Sequence, residues 1–297
     1  MTDPGTRDTT PLGVLYALGA YGLWGIAPAY WKLLGSLPPA PLLAHRVLWS
    51  LGTGLLLVLA TRRAGELRGV LRSPRHALPM LLSATLIGTN WFVFLWAVAN
   101  NRVLDTSLGY YINPLINVLF GTIFLRERLR TAQIVAVGLA AAGVVQLVIV
   151  QGSLPWISLV LAVSFALYGL VRKLAPVMPV VGFTVEALVL APVGSVYLWF
   201  GPWGDGGMAA APLGLQLLIV CSGPFTAAPL LLFNGAAKRL RLSTIGLIQY
   251  IAPSMAFVLA VVAYGEPFTR AQAFTFGCVW LALAIYSIDS VRAQRGG

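Results

Sequence analysis

Leu108-Gly109-Tyr110-Tyr111-Ile112-Asn113-Pro114 returns 139 residues later as Leu247-Ile248-Gln249-Tyr250-Ile251-Ala252-Pro253. Outward from these two stretches, Phe94 to Gly138 aligns with Phe233 to Gly277 without a gap, and Arg102, Glu127, Gln133 and Gly138 meet Arg241, Glu266, Gln272 and Gly277. Apolar matches carry little weight in so apolar a chain. The shared spacing of 13 residues from Pro114 to Glu127 and from Pro253 to Glu266 carries more. A weaker echo sets Leu23-Trp24-Gly25 beside Leu167-Tyr168-Gly169. Two readings stand: an internal duplication, or two similar hairpins produced by biased composition.

The material between the copies decides what a duplication would mean. Apolar runs long enough for a bilayer crossing lie near residues 12–34, 42–61, 78–98, 104–125 and 132–150, then near 155–172, 181–200, 213–233, 243–264 and 272–289. Turn-like or charged breaks separate them, among them Ser36-Leu37-Pro38-Pro39, the Arg62 to His76 loop and Gln151-Gly152-Ser153. The expected fold is an all-α membrane protein with ten transmembrane helices. Residues 12–150 and 155–289 form its halves, between tails 1–11 and 290–297. Each half has five spans, and five is odd. The second half therefore enters the bilayer upside down, the inverted repeat of secondary transporters.

Composition agrees. Hydrophobic residues make up 58% of the chain and charged residues only 10%, against about a quarter charged in soluble domains. Mean hydropathy is +0.84. The net charge of +11 does not indicate a nucleic-acid partner, because the cations lie between apolar runs rather than along one folded face. With ten spans and both ends in the cytoplasm, 16 of the 20 Lys and Arg residues fall inside, Lys32, Arg102 and Arg270 fall outside, and Arg46 lies within a span. Trp31, Trp156, Trp199 and Trp203 border the outer loops as an aromatic belt. The first apolar run is too long for a cleaved signal peptide and reads as a retained helix. Cys221 and Cys278 sit in apolar runs without a CxxC partner, so no disulfide or zinc site is indicated.

Trp24-Gly25-Ile26-Ala27-Pro28, His45-Arg46-Val47-Leu48-Trp49-Ser50 and the stretch from Asn90-Trp91 to Pro114-Leu115 resemble the RarD group of the EamA branch of the drug/metabolite transporter superfamily. The resemblance runs over essentially the whole chain. It implies ten helices in two inverted EamA repeats, a cavity near the midplane, a bacterial cytoplasmic membrane, and transport coupled to an ion or substrate gradient, with export the favoured direction. Members of the group carry chloramphenicol-sensitivity labels, which do not identify a physiological substrate.

Ionisable groups inside the bilayer cost at least about 2.5–3.5 kcal/mol at a helix centre, so each needs a reason. Arg46 lies toward the outer part of its span and Glu186 toward the inner part of its own, at corresponding positions of the two halves. Either they are a substrate-contacting or gating pair, or each snorkels near its own helix end. His45 points about 100° away from Arg46 and reads as a satisfied interior histidine. The fourth span carries Asp105, Ser107, Asn113 and Asn117. Pro114 removes a backbone bond there and frees the Tyr110 carbonyl. Gln249, Tyr250 and Pro253 repeat the pattern in the ninth span. Paired helix breaks at Pro114 and Pro253 point to a transport site, while kinking with amide hydrogen bonds as packing glue is the competing account. Asn90, Trp24, Tyr168 and Asn234 are weaker candidates for the cavity wall. Glu127 and Glu266 read as holding a turn or helix start.

No HExxH, Walker loop, GxGxxG or GxSxG occurs, and histidines and carboxylates are too few for a metal cluster. The expectation is a non-enzymatic carrier, without cofactor or metal, of a small polar or amphipathic metabolite or drug, with the lipid bilayer as its surroundings and protons as the candidate coupling ion. A passive channel and a membrane scaffold are the alternatives. Against them stand the lack of a charge ring or carbonyl filter and the shortness of the loops.

Overall fold

The computed structural model describes residues 11–34, 37–100, 102–152, 156–201, 208, 211–263 and 269–295. Trp203 and Glu266, both singled out above, lie outside them, as do the side chains of Asp105 and Ser107. Within the described residues all regular structure is helical: α1 (Pro11–Leu33), α2 (Pro39–Ala60), α3 (Ala64–Arg72), α4 (Pro74–Ala99), α5 (Val103–Phe124), α6 (Thr131–Gln151), α7 (Trp156–Leu174), α8 (Pro179–Phe200), α9 (Leu213–Ala237), α10 (Leu242–Gln249), α11 (Ile251–Val258), a π-helical turn (Leu259–Ala263) and α12 (Arg270–Arg295).

Eight of these helices are long and apolar enough to cross a membrane. Two further apolar stretches, Leu108–Phe124 in α5 and Leu242–Val258 across α10 and α11, are shorter. Helix starts follow local chemistry. Prolines open α2, α4 and α8, where the missing N–H has no intrahelical partner in any case. Gly152 ends α6 in the left-handed region at φ 73°. The sequence reading took Arg62 to His76 as a loop, but its middle forms the amphipathic helix α3, with Val70 buried and its arginines flanking it.

The two expected helix breaks differ. The ninth apolar run is interrupted at Tyr250, where Pro253 leaves the Gln249 carbonyl without its donor. The fourth is not: α5 runs through Pro114. There the Tyr250 hydroxyl donates to the Tyr111 carbonyl at 3.2 Å, one residue from the carbonyl that Pro114 frees, which ties α5 to the end of α10 at this point.

Packing is reciprocal. α1 lies on α9, α10 and α11; α7 lies on α4 and α5; α2 lies on α8 and α9; α8 also touches α4; α5 packs on α10; and α6 on α12. One core surrounds Tyr21, Tyr168, Phe183 and Phe233. A second joins α6, α10 and α12 through Ala136, Leu247, Tyr250 and Val279. The α5–α10 crossing is close because Gly246 has no side chain, since a Cβ there would stand 2.6 Å from the Pro114 carbonyl oxygen.

The basic corners collect at one end. Glu127, after α5, accepts from the Leu242 N–H at 2.7 Å and from the Ser243 N–H at 3.0 Å and hydroxyl at 2.6 Å, which caps α10 across the fold. Arg130 pairs with Asp289 at 2.6 Å, joining the start of α6 to the end of α12. The Met178 N–H donates to Glu66 of α3.

Gly246→Val is expected to lower the melting temperature in detergent, consistent with overpacking of about 1–3 kcal/mol. Glu127→Ala should cost less, about 1 kcal/mol, the scale of a lost helix cap. A Gly246→Val protein that melted like the wild type would show that α5 and α10 do not cross this closely.

Candidate functional site

Arg46 stands on the eighth residue of α2, about 10 Å along the helix from the end opposite the basic corners. It is half-buried. Its Nε donates to Thr226 Oγ1 on α9 at 2.8 Å, and its guanidinium carbon lies 4.3 Å from the Trp91 ring centroid and 5.1 Å from that of Trp31. Tyr30 and Tyr110 are its electrostatic neighbours. Tyr30 stacks on Phe225 at 4.1 Å and donates to the Leu218 carbonyl, which stiffens this wall. No carboxylate lies within salt-bridge distance of Arg46 among the described residues. Trp31, read from sequence as a belt residue, is a wall of this box. Trp199, 83% exposed, stands outward instead.

Glu186 stands on the eighth residue of α8, which begins at the basic end. It is only 3% exposed, so it does not snorkel. Its Oε1 accepts from Ser83 at 2.6 Å and lies 3.5 Å from Arg172 Nε; its Oε2 accepts from Tyr168 at 3.3 Å. Asn234 Nδ2 donates to the same Tyr168 oxygen at 3.0 Å. Arg172 is fully buried, and it donates also to Met80 Sδ and to the Pro179 carbonyl. Gly182 makes this possible, because a Cβ there would fall on the guanidinium. Arg46 and Glu186 are thus not partners of each other: Glu186 belongs to Arg172. Sequence reasoning counted Arg172 among the loop cations because it stands in the last turn of α7. The available signal was the need of an intramembrane carboxylate for a nearby cation.

Between the two groups lies a small cavity lined by Val47, Ser50, Ile87, Trp91, Phe183, Glu186, Ala187, Leu190 and Leu230. At about 10 Å³ it has room for about one water. The Ser50 hydroxyl, also on its wall, is buried and has no hydrogen-bond partner. The structure therefore places Glu186 on the cavity, with Arg46 above it through their shared neighbour Trp91.

The amide candidates gather elsewhere. Asn113 Nδ2 donates to the Ala162 carbonyl at 2.5 Å. Asn117 Nδ2 donates to Asn113 Oδ1 at 3.1 Å and to Gln249 Oε1 at 2.8 Å, and Gln249 Nε2 donates to Asn113 Oδ1 at 2.5 Å. The Tyr21 hydroxyl reaches Gln249 Oε1 at 3.4 Å. This knot ties α5 to α7, α10 and α1 and satisfies itself apart from Asn117 Oδ1, which has no partner. Asn90 likewise joins α4 to the Leu161 carbonyl and Ser164 hydroxyl of α7. Trp24 and Phe165 pack with Phe233 in the main core, and Tyr250 is fully buried at the second one. Tyr110, 49% exposed, stays on the Arg46 side.

Two lysines bind the basic end, and sequence reading gave them no role beyond charge. Lys173, ending α7, donates to the Ala237 and Leu240 carbonyls at the end of α9. Lys238, capping α9, donates to the Lys173 and Ala175 carbonyls at the end of α7. Cations at helix C-termini are favourable and satisfy carbonyls that lack donors. Burial, with Arg172 and Lys173 nearby, pushes the Lys238 amine down to about 8.

The comparisons with known proteins agree with this architecture. The family described as "EamA-like transporter family" matches residues 11–149. A Vibrio cholerae protein named "Uncharacterized transporter" is 47% identical over 95% of this chain and 93% of its own. "Protein RarD" of Escherichia coli strain K12 is 45% identical over 96% of this chain and 97% of its own. A crystal structure at 21% identity covers 93% of this chain and 97% of its own with a TM-score of 0.73, a likeness of fold. Together with a bundle of apolar helices around a few interior polar groups, these relationships define a multi-pass membrane transporter. The chain belongs to the RarD group of the EamA family, in the drug/metabolite transporter superfamily.

Glu186→Ala, which strands Arg172 in the interior, should destabilise the protein by about 3–5 kcal/mol, and Glu186→Ala with Arg172→Met should recover most of that. Melting curves of the single and double variants check this; equal losses would mean that the pair is not coupled. Lys238 releases its proton at lower pH in the folded protein than in an unfolded chain, so unfolding takes up a proton between pH of about 8 and 10.5. This group's contribution to stability therefore rises with pH across that window. NMR of methylated lysines should show one resonance titrating near 8 that Lys238→Met removes, and a midpoint at the ordinary lysine value would contradict the packing.

Proposed function

We propose that this chain is a secondary active permease that exports a small polar or amphipathic metabolite or drug by alternating access. In this reading ten spans form two inverted five-helix repeats, residues 12–150 and 155–289, in a bacterial cytoplasmic membrane, with both tails (1–11 and 290–297) in the cytoplasm. Residues 108–124 and 242–263 supply the fourth and ninth crossings.

The observation that carries the reading is the exchange symmetry of helix packing. If each helix of the first half is replaced by its counterpart in the second, α1 on α9 becomes α7 on α4, α2 on α9 becomes α8 on α4, and α1 on α10–α11 becomes α7 on α5. The pairs α2–α8, α5–α10 and α6–α12 map onto themselves. Arg46 and Glu186 obey the same exchange, each eighth in its helix and entering from opposite ends. Two such halves can close either end of one central site.

With the basic end tied by Lys173, Lys238 and Glu127, the central cavity holds little more than a water. A solute must enter beside half-buried Arg46 or when the helices part. Solute binding near Arg46 supplies the counter-charge, the amide knot of Asn113, Asn117 and Gln249 with the Tyr250–Pro253 break serves as the hinge region, and protons are the coupling ion.

Purified protein in liposomes, assayed with amino acids, other metabolites and amphenicols with and without a proton gradient, tests transport directly. Arg46→Ala should abolish flux of an accepted solute and Pro253→Ala should slow it. Unchanged kinetics in both variants at normal expression would remove Arg46 and the ninth-span break from the mechanism. A reporter fused to the C-terminus should be active only in the cytoplasm.

A further inference from the structure

The protein treats its two interior arginines differently. Arg172 is met on several sides by Glu186, Met80 and Pro179. Arg46 has a single hydrogen bond, from Nε to Thr226, and no counter-ion among the described residues. Indole rings at 4.3 and 5.1 Å compensate part of its charge through their π faces. A cation inside a span without a counter-ion among the described residues remains costly.

What is left uncommitted has a defined shape. The tryptophans stand over the guanidinium carbon and the Nε edge is held by Thr226, which leaves the edge carrying Nη1 and Nη2. Two parallel N–H groups in one plane match the two oxygens of a carboxylate. We propose that this edge binds the carboxylate of an amphipathic organic monoanion, so that the solute carried is a monocarboxylate with an apolar body.

A single negative charge is specified because none of the groups around Arg46 (Trp31, Trp91, Tyr30, Tyr110, Thr226) is a second cation. A phosphate or dicarboxylate would bring more charge than the box neutralises. The apolar body follows from the walls: indoles beside the guanidinium, and Val47, Ile87 and Leu230 lining the cavity next to Trp91. The inference rests on the transport reading for the word "carried", but the binding it asserts does not depend on flux.

The test is calorimetric titration of the full-length protein in nanodiscs with phenylacetate, phenylacetamide and inorganic phosphate. Phenylacetate should bind saturably, and phenylacetamide, of the same size without the charge, at least about tenfold more weakly, a difference of about 1.4 kcal/mol. Arg46→Gln should abolish phenylacetate binding. Arg46→Lys, which keeps the charge but loses the fork, should weaken it by about tenfold. The inference is overturned if phenylacetate gives no saturable binding, if the amide or phosphate binds as tightly, or if Arg46→Lys leaves the acid-to-amide ratio unchanged. The last comparison decides the matter even where Arg46→Gln fails to fold. Liposome flux separates the two readings: flux of solutes with no preference for carboxylates would sink this inference and leave transport intact, whereas carboxylate binding without flux would do the reverse.

Discussion

Hydrocarbon offers polar groups no hydrogen-bond partners, and most of the described interior polar side chains are arranged around that scarcity. Glu186 is surrounded by Ser83, Tyr168 and Arg172. Asn113, Asn117 and Gln249 satisfy one another across helices from both halves. The Tyr250 hydroxyl, fully buried, finds its acceptor in the Tyr111 carbonyl of α5. Several of these contacts, Ser83 to Glu186 and Asn117 to Gln249 among them, join helices far apart in sequence, so polar satisfaction also helps to fix which helix lies on which.

The constraint divides the interior into groups that are satisfied and groups that are not. The amide knot is nearly closed, and its work is to hold α5 against α10 beside the break at Tyr250. Around the small cavity the arrangement is looser. Ser50 has an unused hydroxyl, and Arg46 has spare donors. Unsatisfied groups are destabilising wherever they remain dry, and Asn117 Oδ1, Arg172 Nε and Asn234 Oδ1 share that condition with the Ser50 hydroxyl, so such groups are spread over α2, α5, α7 and α9.

Much of this was legible in the sequence, because apolar length and charge spacing are local properties. The spans, the odd value of Arg46 and Glu186, and the shared face of Asn113 and Asn117 follow from hydropathy and helical periodicity. Partnerships were not legible. Arg172 looked like a loop cation because its burial depends on the space left by Gly182 on another helix. Trp31 looked like a belt residue because nothing local shows that the Arg46 guanidinium reaches it. Pro114 and Pro253 occupy matching positions, yet only the second interrupts its helix, so the residue alone does not decide the break. The helix α3 was missed because nine residues are too few to stand out in a charged loop.

Lys173 and Lys238 each hold the helix end that carries the other, and what they hold is main chain. Carbonyl oxygens are present whatever side chain the residue bears, so the tie itself asks nothing of the side chains of Ala175, Ala237 and Leu240, which are constrained instead by their burial in the cores. Searches for coupled substitutions, which recover contacts between side chains, would pass over these main-chain ties between α7 and α9.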